Sequence, residues 1–195
     1  MTVTLHDEAG LRSDPHRRHT ARWVGLIALL AGAALVAVLA TRPPATATEV
    51  DTPLVGQVAP AITGATLGGG TFNLDSLRGR WVVVNFFASW GPPCQQEQPE
   101  LVAFAYAHRS PGDAALVSVV YDDTVSSARG FMQSTGASWP AVVDPGGQIA
   151  LNYGVRGPPE TYIVSPDRIV VAHFDGPMTE SSLDYWLARA KQGAS

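Results

Sequence analysis

The segment Trp81-Val-Val-Val-Asn-Phe-Phe87 is a nearly unbroken run of β-branched and aromatic residues. Strands that alternate apolar and polar residues lie half-exposed, whereas a continuous run suits a central strand covered on both faces. After a four-residue turn, Pro92-Pro93 opens a helix, because proline is tolerated in the first turn, where amide protons lack intrahelical partners. A buried strand feeding a helix is a unit of an α/β sheet, and the rest of the chain supplies more such units. Thr71–Asp75 reads as a short strand ending near a turn at Arg78-Gly79-Arg80. The Pro92 helix runs to about Arg109, with a kink expected at Pro99, which cannot donate to the carbonyl of Gln95. Ala115–Tyr121 is a second buried strand, and Thr124–Thr135 a helix with Thr124 as cap and Gly136 as stop. Ala141–Asp144 is a strand, and Gln148–Tyr153 a short helix ended by Gly154. Thr161–Val164 and Ile169–Phe174 form a hairpin around Ser165-Pro166-Asp167, and Thr179 caps a closing helix to about Gln192. The expected class is α/β, a mixed sheet with helices on both faces and no internal repeat.

Residues 23–41 carry no charge and are almost all apolar, long enough for a transmembrane helix. His16-Arg17-Arg18-His19 and Arg22 precede the run, with Arg12 upstream. The positive-inside rule keeps residues 1–22 in the cytoplasm and puts the chain after Arg42 outside. A cleaved signal peptide is the rival reading, with Ala45-Thr46-Ala47 as a small-residue cleavage pattern, but the apolar run exceeds a signal core of about 7–15 residues. Arg17-Arg18 gives a twin-arginine signal little support from the following His19-Thr20-Ala21. The expectation is an uncleaved signal anchor in the cell membrane. Residues 42–53, rich in Pro, Thr and Ala, read as a linker. The stretch 54–195 is then one extracytoplasmic domain, expected to be a monomer, with about 140 residues to build a core. The net charge is −4, and nothing in the sequence resembles a basic nucleic-acid surface.

Cys94 is the sole cysteine, in Ala88-Ser89-Trp90-Gly91-Pro92-Pro93-Cys94. In the first turn of the Pro92 helix its thiolate would be favoured by the helix terminus. Equally, free cysteine is among the most buried residue types, and an inert thiol fits the position as well. Glu97, three residues on, shares its helical face. It is either a tuning carboxylate for the thiol or a solvated first-turn acid complementing the helix dipole. The histidines at 6, 16, 19, 108 and 173 show no metal-ligand spacing with Cys94, so no metal is expected. Asp122-Asp123 follows a strand and reads as a solvated turn.

Asn85-Phe-Phe-Ala-Ser-Trp-Gly-Pro-Pro-Cys-Gln-Gln-Glu-Gln-Pro-Glu-Leu101 resembles the active-site stretch of the TlpA/ResA/DsbE-like (CcmG-like) thioredoxins, or redoxins. That pattern runs Phe-x-Ala-x-Trp-Cys-x-Pro-Cys-x-x-Glu-x-Pro, matched at Phe86, Ala88, Trp90, Pro93, Cys94, Glu97 and Pro99. Gly91 stands where the attacking cysteine belongs. Tyr153-Gly-Val-Arg-Gly-Pro-Pro-Glu-Thr-Tyr-Ile-Val164 is similar to the family's Tyr-Gly-Val-x-Gly-x-Pro-Glu-Thr-Phe, which aligns Pro159 with a cis proline against the active site. The resemblance implies a thioredoxin-like fold, a membrane anchor and extracytoplasmic disulfide reduction, often on apocytochrome c before haem attachment. It places Cys94 as the resolving thiol, Glu97 beside it, and Trp90, Pro93, Pro158 and Pro159 at the client-binding rim. The family needs no cofactor, and a membrane-embedded reductant is an implied partner. Pro158, lacking an N–H, would omit one docking hydrogen bond to the client.

Three functions are weighed for this chain. One is a thiol–disulfide oxidoreductase of cytochrome c maturation or envelope disulfide reduction, impaired because the two-thiol cycle lacks its nucleophile. The other is a non-catalytic binding module for thiol-containing clients. A one-cysteine peroxidase ranks last: that site resembles Pro-x-x-x-Thr-x-x-Cys, and Phe87 and Gly91 stand where proline and threonine would be.

Overall fold

In the computed structural model, residues 25, 27–34, 46–110 and 112–193 are described. The chain divides into two units, residues 1–44 and 45–195. In the first, residues 27–34 are helical and exposed. Most of the expected span 23–41, the tail 1–22 and residues 42–45 lie outside the described residues. Among the described residues no helix is long and apolar enough to cross a membrane.

The second unit is built on the strand that the apolar run predicts. β4 (Trp81–Phe87) is buried along its whole length. It pairs in parallel with β5 (Ala114–Val120), which pairs in parallel with β6 (Ala141–Val143). On its other side β4 meets β7 (Glu160–Val164) antiparallel, and β7 meets β8 (Val170–Asp175) antiparallel as the expected hairpin. β1 (Thr48–Glu49) closes that edge, giving the order β1-β8-β7-β4-β5-β6. Thr48 and Glu49 fall in the segment expected as linker, yet Thr48 pairs with Asp175 and Glu49 with Phe174. The sheet therefore begins before residue 54. A separate hairpin, β2 (Thr63–Ala65) and β3 (Thr71–Asn73), precedes a short 3-10 turn at Leu74–Leu77.

The helices follow their caps. α1 (Pro92–Ala107) starts on Pro92-Pro93 and holds Pro99 inside it. α2 (Val125–Thr135) begins where the Thr124 side chain accepts from the Ser127 amide and stops at Gly136 in the left-handed region. α3 is Gln148–Tyr153 and α4 is Glu180–Gly193, whose Ser182 amide donates to the Thr179 hydroxyl. Side chains along β4 alternate between two cores. Val82, Val84 and Phe86 pack with Tyr153 of α3 and Leu74. Trp81 and Val83 pack with Leu101 and Phe104 of α1 and Leu183 of α4. Asn85 has the parity of the second face and is the polar exception in it.

α1 and α4 are also clasped at the end of α1 remote from its proline start. His108 Nδ1 lies 2.8 Å from Asp113 Oδ1, and Nε2 lies 2.9 Å from Asp184 Oδ1. Carboxylates accept on both sides, so both ring nitrogens must carry protons to satisfy them. Burial opposes that charge, but the bonds to Asp113 and Asp184 outweigh it and raise the pKa above 6.5. Asp113 is held down to about 2, first by Lys191 and then by His108. A histidine whose pKa is raised by folding contributes stability that is full below its unfolded pKa and lost as pH rises through the folded one. The expected outcome is that the unmodified protein melts higher than His108→Gln in mildly acidic buffer. The gap closes as the buffer is raised above about pH 6.5. Melting curves of both proteins across that range check it, and a gap that widens with pH would contradict the clasp.

Candidate functional site

β4 ends at Phe87, and the chain turns through Ala88–Gly91 into α1. Gly91 is the N-cap, with φ −78° and ψ 118°, a conformation open to any residue. Its carbonyl accepts the Gln95 amide at 3.0 Å, and the Gln95 side chain returns to the Ser89 carbonyl at 2.9 Å. Cys94 therefore lies one turn into the helix, 2% exposed, packed with Phe87, Val120 and Met132. Burial pushes its thiol up to about 12, with Glu97 and Asp123 adding repulsion against the charged form. Burial and its neighbours therefore favour the neutral thiol at this position.

Glu97 is 1% exposed and not a solvated first-turn acid. Its Oε2 accepts Asn85 Nδ2 at 2.8 Å and its Oε1 accepts the Met178 amide at 2.9 Å. Asn85 Nδ2 also donates to Thr161 Oγ1 at 3.2 Å, across the pair Asn85–Thr161 of β4 and β7. Burial raises the Glu97 carboxyl to about 7, against the pull of the Met178 amide and Asn85.

Position 91, a glycine, has a defined geometry towards Cys94. A Cβ placed on Gly91 lies 3.4 Å from Cys94 Sγ and 3.8 Å from Cys94 Cβ. Disulfides place their two Cβ atoms about 3.8 Å apart. Position 91 thus has the Cβ separation of a bridge to Cys94, and an added Cβ there makes only ordinary van der Waals contacts.

The sequence-predicted rim residues gather at the same end of β4. Trp90 is 57% exposed, and Pro93 and Pro158 are half-buried. The last β4–β7 pair is Phe86 with Glu160, so antiparallel register sets Pro159 beside the residue from which the Ala88–Gly91 loop leaves. Pro159 is buried and the Pro158–Pro159 peptide bond is cis.

Two groups were not singled out from the sequence. Glu160 is fully buried; its Oε1 accepts the Arg156 amide at 2.6 Å and the Gly157 amide at 3.1 Å, fixing the loop into Pro158. Its Oε2 accepts His173 Nε2 at 2.7 Å and the Tyr162 hydroxyl at 3.2 Å. Burial raises this carboxyl, but His173 and the two amides outweigh burial and hold it below its ordinary value. The clue was a carboxylate opening an apolar strand, which requires partners once buried. Asp123 is more than a solvated turn residue: Oδ2 accepts the Ser89 amide and Oδ1 the Thr124 amide, both at 2.7 Å.

The AhpC/TSA family profile matches residues 55–173. The thiol:disulfide interchange protein HelX of Rhodobacter capsulatus is 34% identical over 132 residues, which is 66% of this chain and 72% of HelX. The thiol-disulfide oxidoreductase ResA of Bacillus subtilis is 30% identical over 138 residues, 71% of this chain and 76% of ResA. The crystal structure of the thioredoxin domain of a thiol-disulfide oxidoreductase from Bacteroides vulgatus matches with a TM-score of 0.62 at 23% identity. It covers 71% of this chain and 98% of that domain, which establishes the thioredoxin-like fold.

The site predicts slow thiol chemistry. Alkylation of Cys94 at neutral pH is expected to run roughly a hundredfold slower than that of an exposed thiol, from loss of thiolate partly offset by higher intrinsic nucleophilicity. Glu97→Gln should speed it modestly, because the larger cause, burial, remains. Reagent rate against pH checks this; a plateau below the ordinary thiol value of about 8.5 would contradict it.

Proposed function

Because the chain belongs to the AhpC/TSA family, among relatives that are TlpA/ResA/DsbE-type thiol–disulfide oxidoreductases, we propose that it docks thiol- or disulfide-bearing clients without running the two-thiol cycle. In that cycle one thiolate attacks a client disulfide, releasing one client thiolate and leaving a mixed disulfide. A second thiolate then attacks the mixed disulfide, frees the client and leaves an internal disulfide. This chain carries one sulfhydryl, and it occupies the second role. The observation that carries the reading is the state of Cys94: 2% exposed, its thiol pushed up to about 12, with no thiol at position 91 to act first.

The docking part of the reading is supported by what is retained. Trp90, Pro93 and the Pro158–Pro159 turn gather at one end of β4, although the nucleophile is absent. The client class comes from the resemblance: apocytochrome c, or another envelope protein with reduced or bridged cysteines. A membrane-embedded reductant has no internal disulfide to act on here. The location is proposed as extracytoplasmic, tethered by residues 23–41, on the strength of the uncharged apolar run and the basic residues before it.

The unmodified protein is expected to leave the rate of insulin disulfide reduction by dithiothreitol unchanged. Gly91→Cys should accelerate it, and after mild oxidation that variant should show no thiol to a titrating reagent. Both follow from the 3.8 Å Cβ–Cβ geometry. Acceleration by the unmodified protein, or a folded Gly91→Cys variant that forms no disulfide, would overturn the assignment of this site.

A further inference from the structure

The loop between β4 and α1 is gripped from the side by the chain that leaves β5. Trp90 Nε1 donates to the Asp122 carbonyl at 3.0 Å, and the Ser89 amide donates to Asp123 Oδ2 at 2.7 Å. The second oxygen of Asp123 accepts the amide of Thr124, the cap of α2. Asp122 stands at φ 42°, in the left-handed region that few residues other than glycine, asparagine and aspartate enter readily. The sheet does not require this corner. The β4–β5 ladder runs to the pair Phe87–Val120, and the Tyr121 amide closes on the Phe87 carbonyl at 2.9 Å. The bonds of Asp122 and Asp123 lie beyond that ladder, on the Ser89-Trp90 loop and the start of α2.

What the corner holds is an exposed tryptophan. At 57% exposure the indole keeps apolar surface open, while its N–H is already satisfied by protein. Tryptophan supplies a large share of interface energy, and a side chain immobilised in advance loses less freedom when a partner arrives.

We propose that Asp122 and Asp123 are positioning residues of the docking rim, holding Trp90 ready to receive the client segment beside its cysteine. This rests on the docking function proposed above. The two residues act through different atoms. Asp123 acts through its carboxylate. Asp122 acts through its carbonyl and its left-handed backbone, so its side chain is dispensable.

The test uses the full-length chain in detergent, with fluorotryptophan incorporated and the Trp90 resonance assigned by Trp90→Phe. Asp123→Ala and Asp122→Val are expected to shift or broaden the Trp90 signal while Trp81, Trp139 and Trp186 stay in place. Asp122→Gly, which keeps both carbonyl and left-handed backbone, should leave Trp90 unchanged, and Asp123→Asn should restore it in part. Titration with a synthetic peptide carrying Cys-x-x-Cys-His, the haem-attachment motif, supplies the second readout. Its Kd should weaken about tenfold in Asp123→Ala and Asp122→Val and stay near the unmodified value in Asp122→Gly. An unmoved Trp90 signal in Asp123→Ala and Asp122→Val overturns the positioning role. If the unmodified chain fails to bind the peptide, the docking reading falls, and with it the rim role of the corner.

Discussion

Glu97 is where three elements of the domain are fastened together. Its carboxylate comes from α1, accepts from Asn85 of β4, and accepts from the backbone of Met178 just before α4. A carboxylate at this depth is costly without donors, and these two bonds supply them. Removing either partner would leave the other groups buried and unsatisfied. The joint therefore fixes the first turn of α1 over the end of β4, and with it the distance between positions 91 and 94. The same depth that demands those partners excludes water from Cys94, and the same carboxylate repels a thiolate there.

The shape of this end of the sheet does not depend on the residue at position 91. Nothing in the joint involves position 91. Gly91 has an unexceptional extended backbone and sits at a helix cap, where glycine is accepted. A Cβ added at Gly91 would lie 3.8 Å from Cys94 Cβ, the disulfide separation, and make only ordinary contacts with its other neighbours. Glu160 and His173 hold the Pro158–Pro159 loop by an independent network on the other side of β4's end, so the rim does not depend on the thiol either.

The elements legible in the sequence were those whose signal is local. The buried run of β4, the Pro92-Pro93 start of α1, the Thr124 cap, and the Gly136 and Gly154 stops each act within a few residues, and each stands where it was read. β1 and β2 were not legible: they are two and three residues long and carry no buried alternation, and they exist because β8 at the sheet edge and β3 offer them partners. That is why residues assigned to a linker begin the sheet. In the site, Cys94, Glu97, Gly91 and the two prolines were named from the resemblance to the redoxin motifs. Asp123 and the Glu160–His173 pair were not, because their roles depend on side chains crossing between loops or strands. A dipeptide such as Asp122-Asp123 looks like any polar turn until its partners at Ser89 and Trp90 are known.

The central claim is that this site holds a client without forming a bond to it. The most direct measurement compares the unmodified chain with Cys94→Ser, each mixed with an oxidised Cys-x-x-Cys-His peptide. Non-covalent affinity is read by titration, and covalent adducts by mass under non-reducing conditions. The account predicts the same affinity for both proteins and no adduct on either. A disulfide-linked adduct on the unmodified chain that Cys94→Ser lacks would show Cys94 acting as a nucleophile and would contradict it.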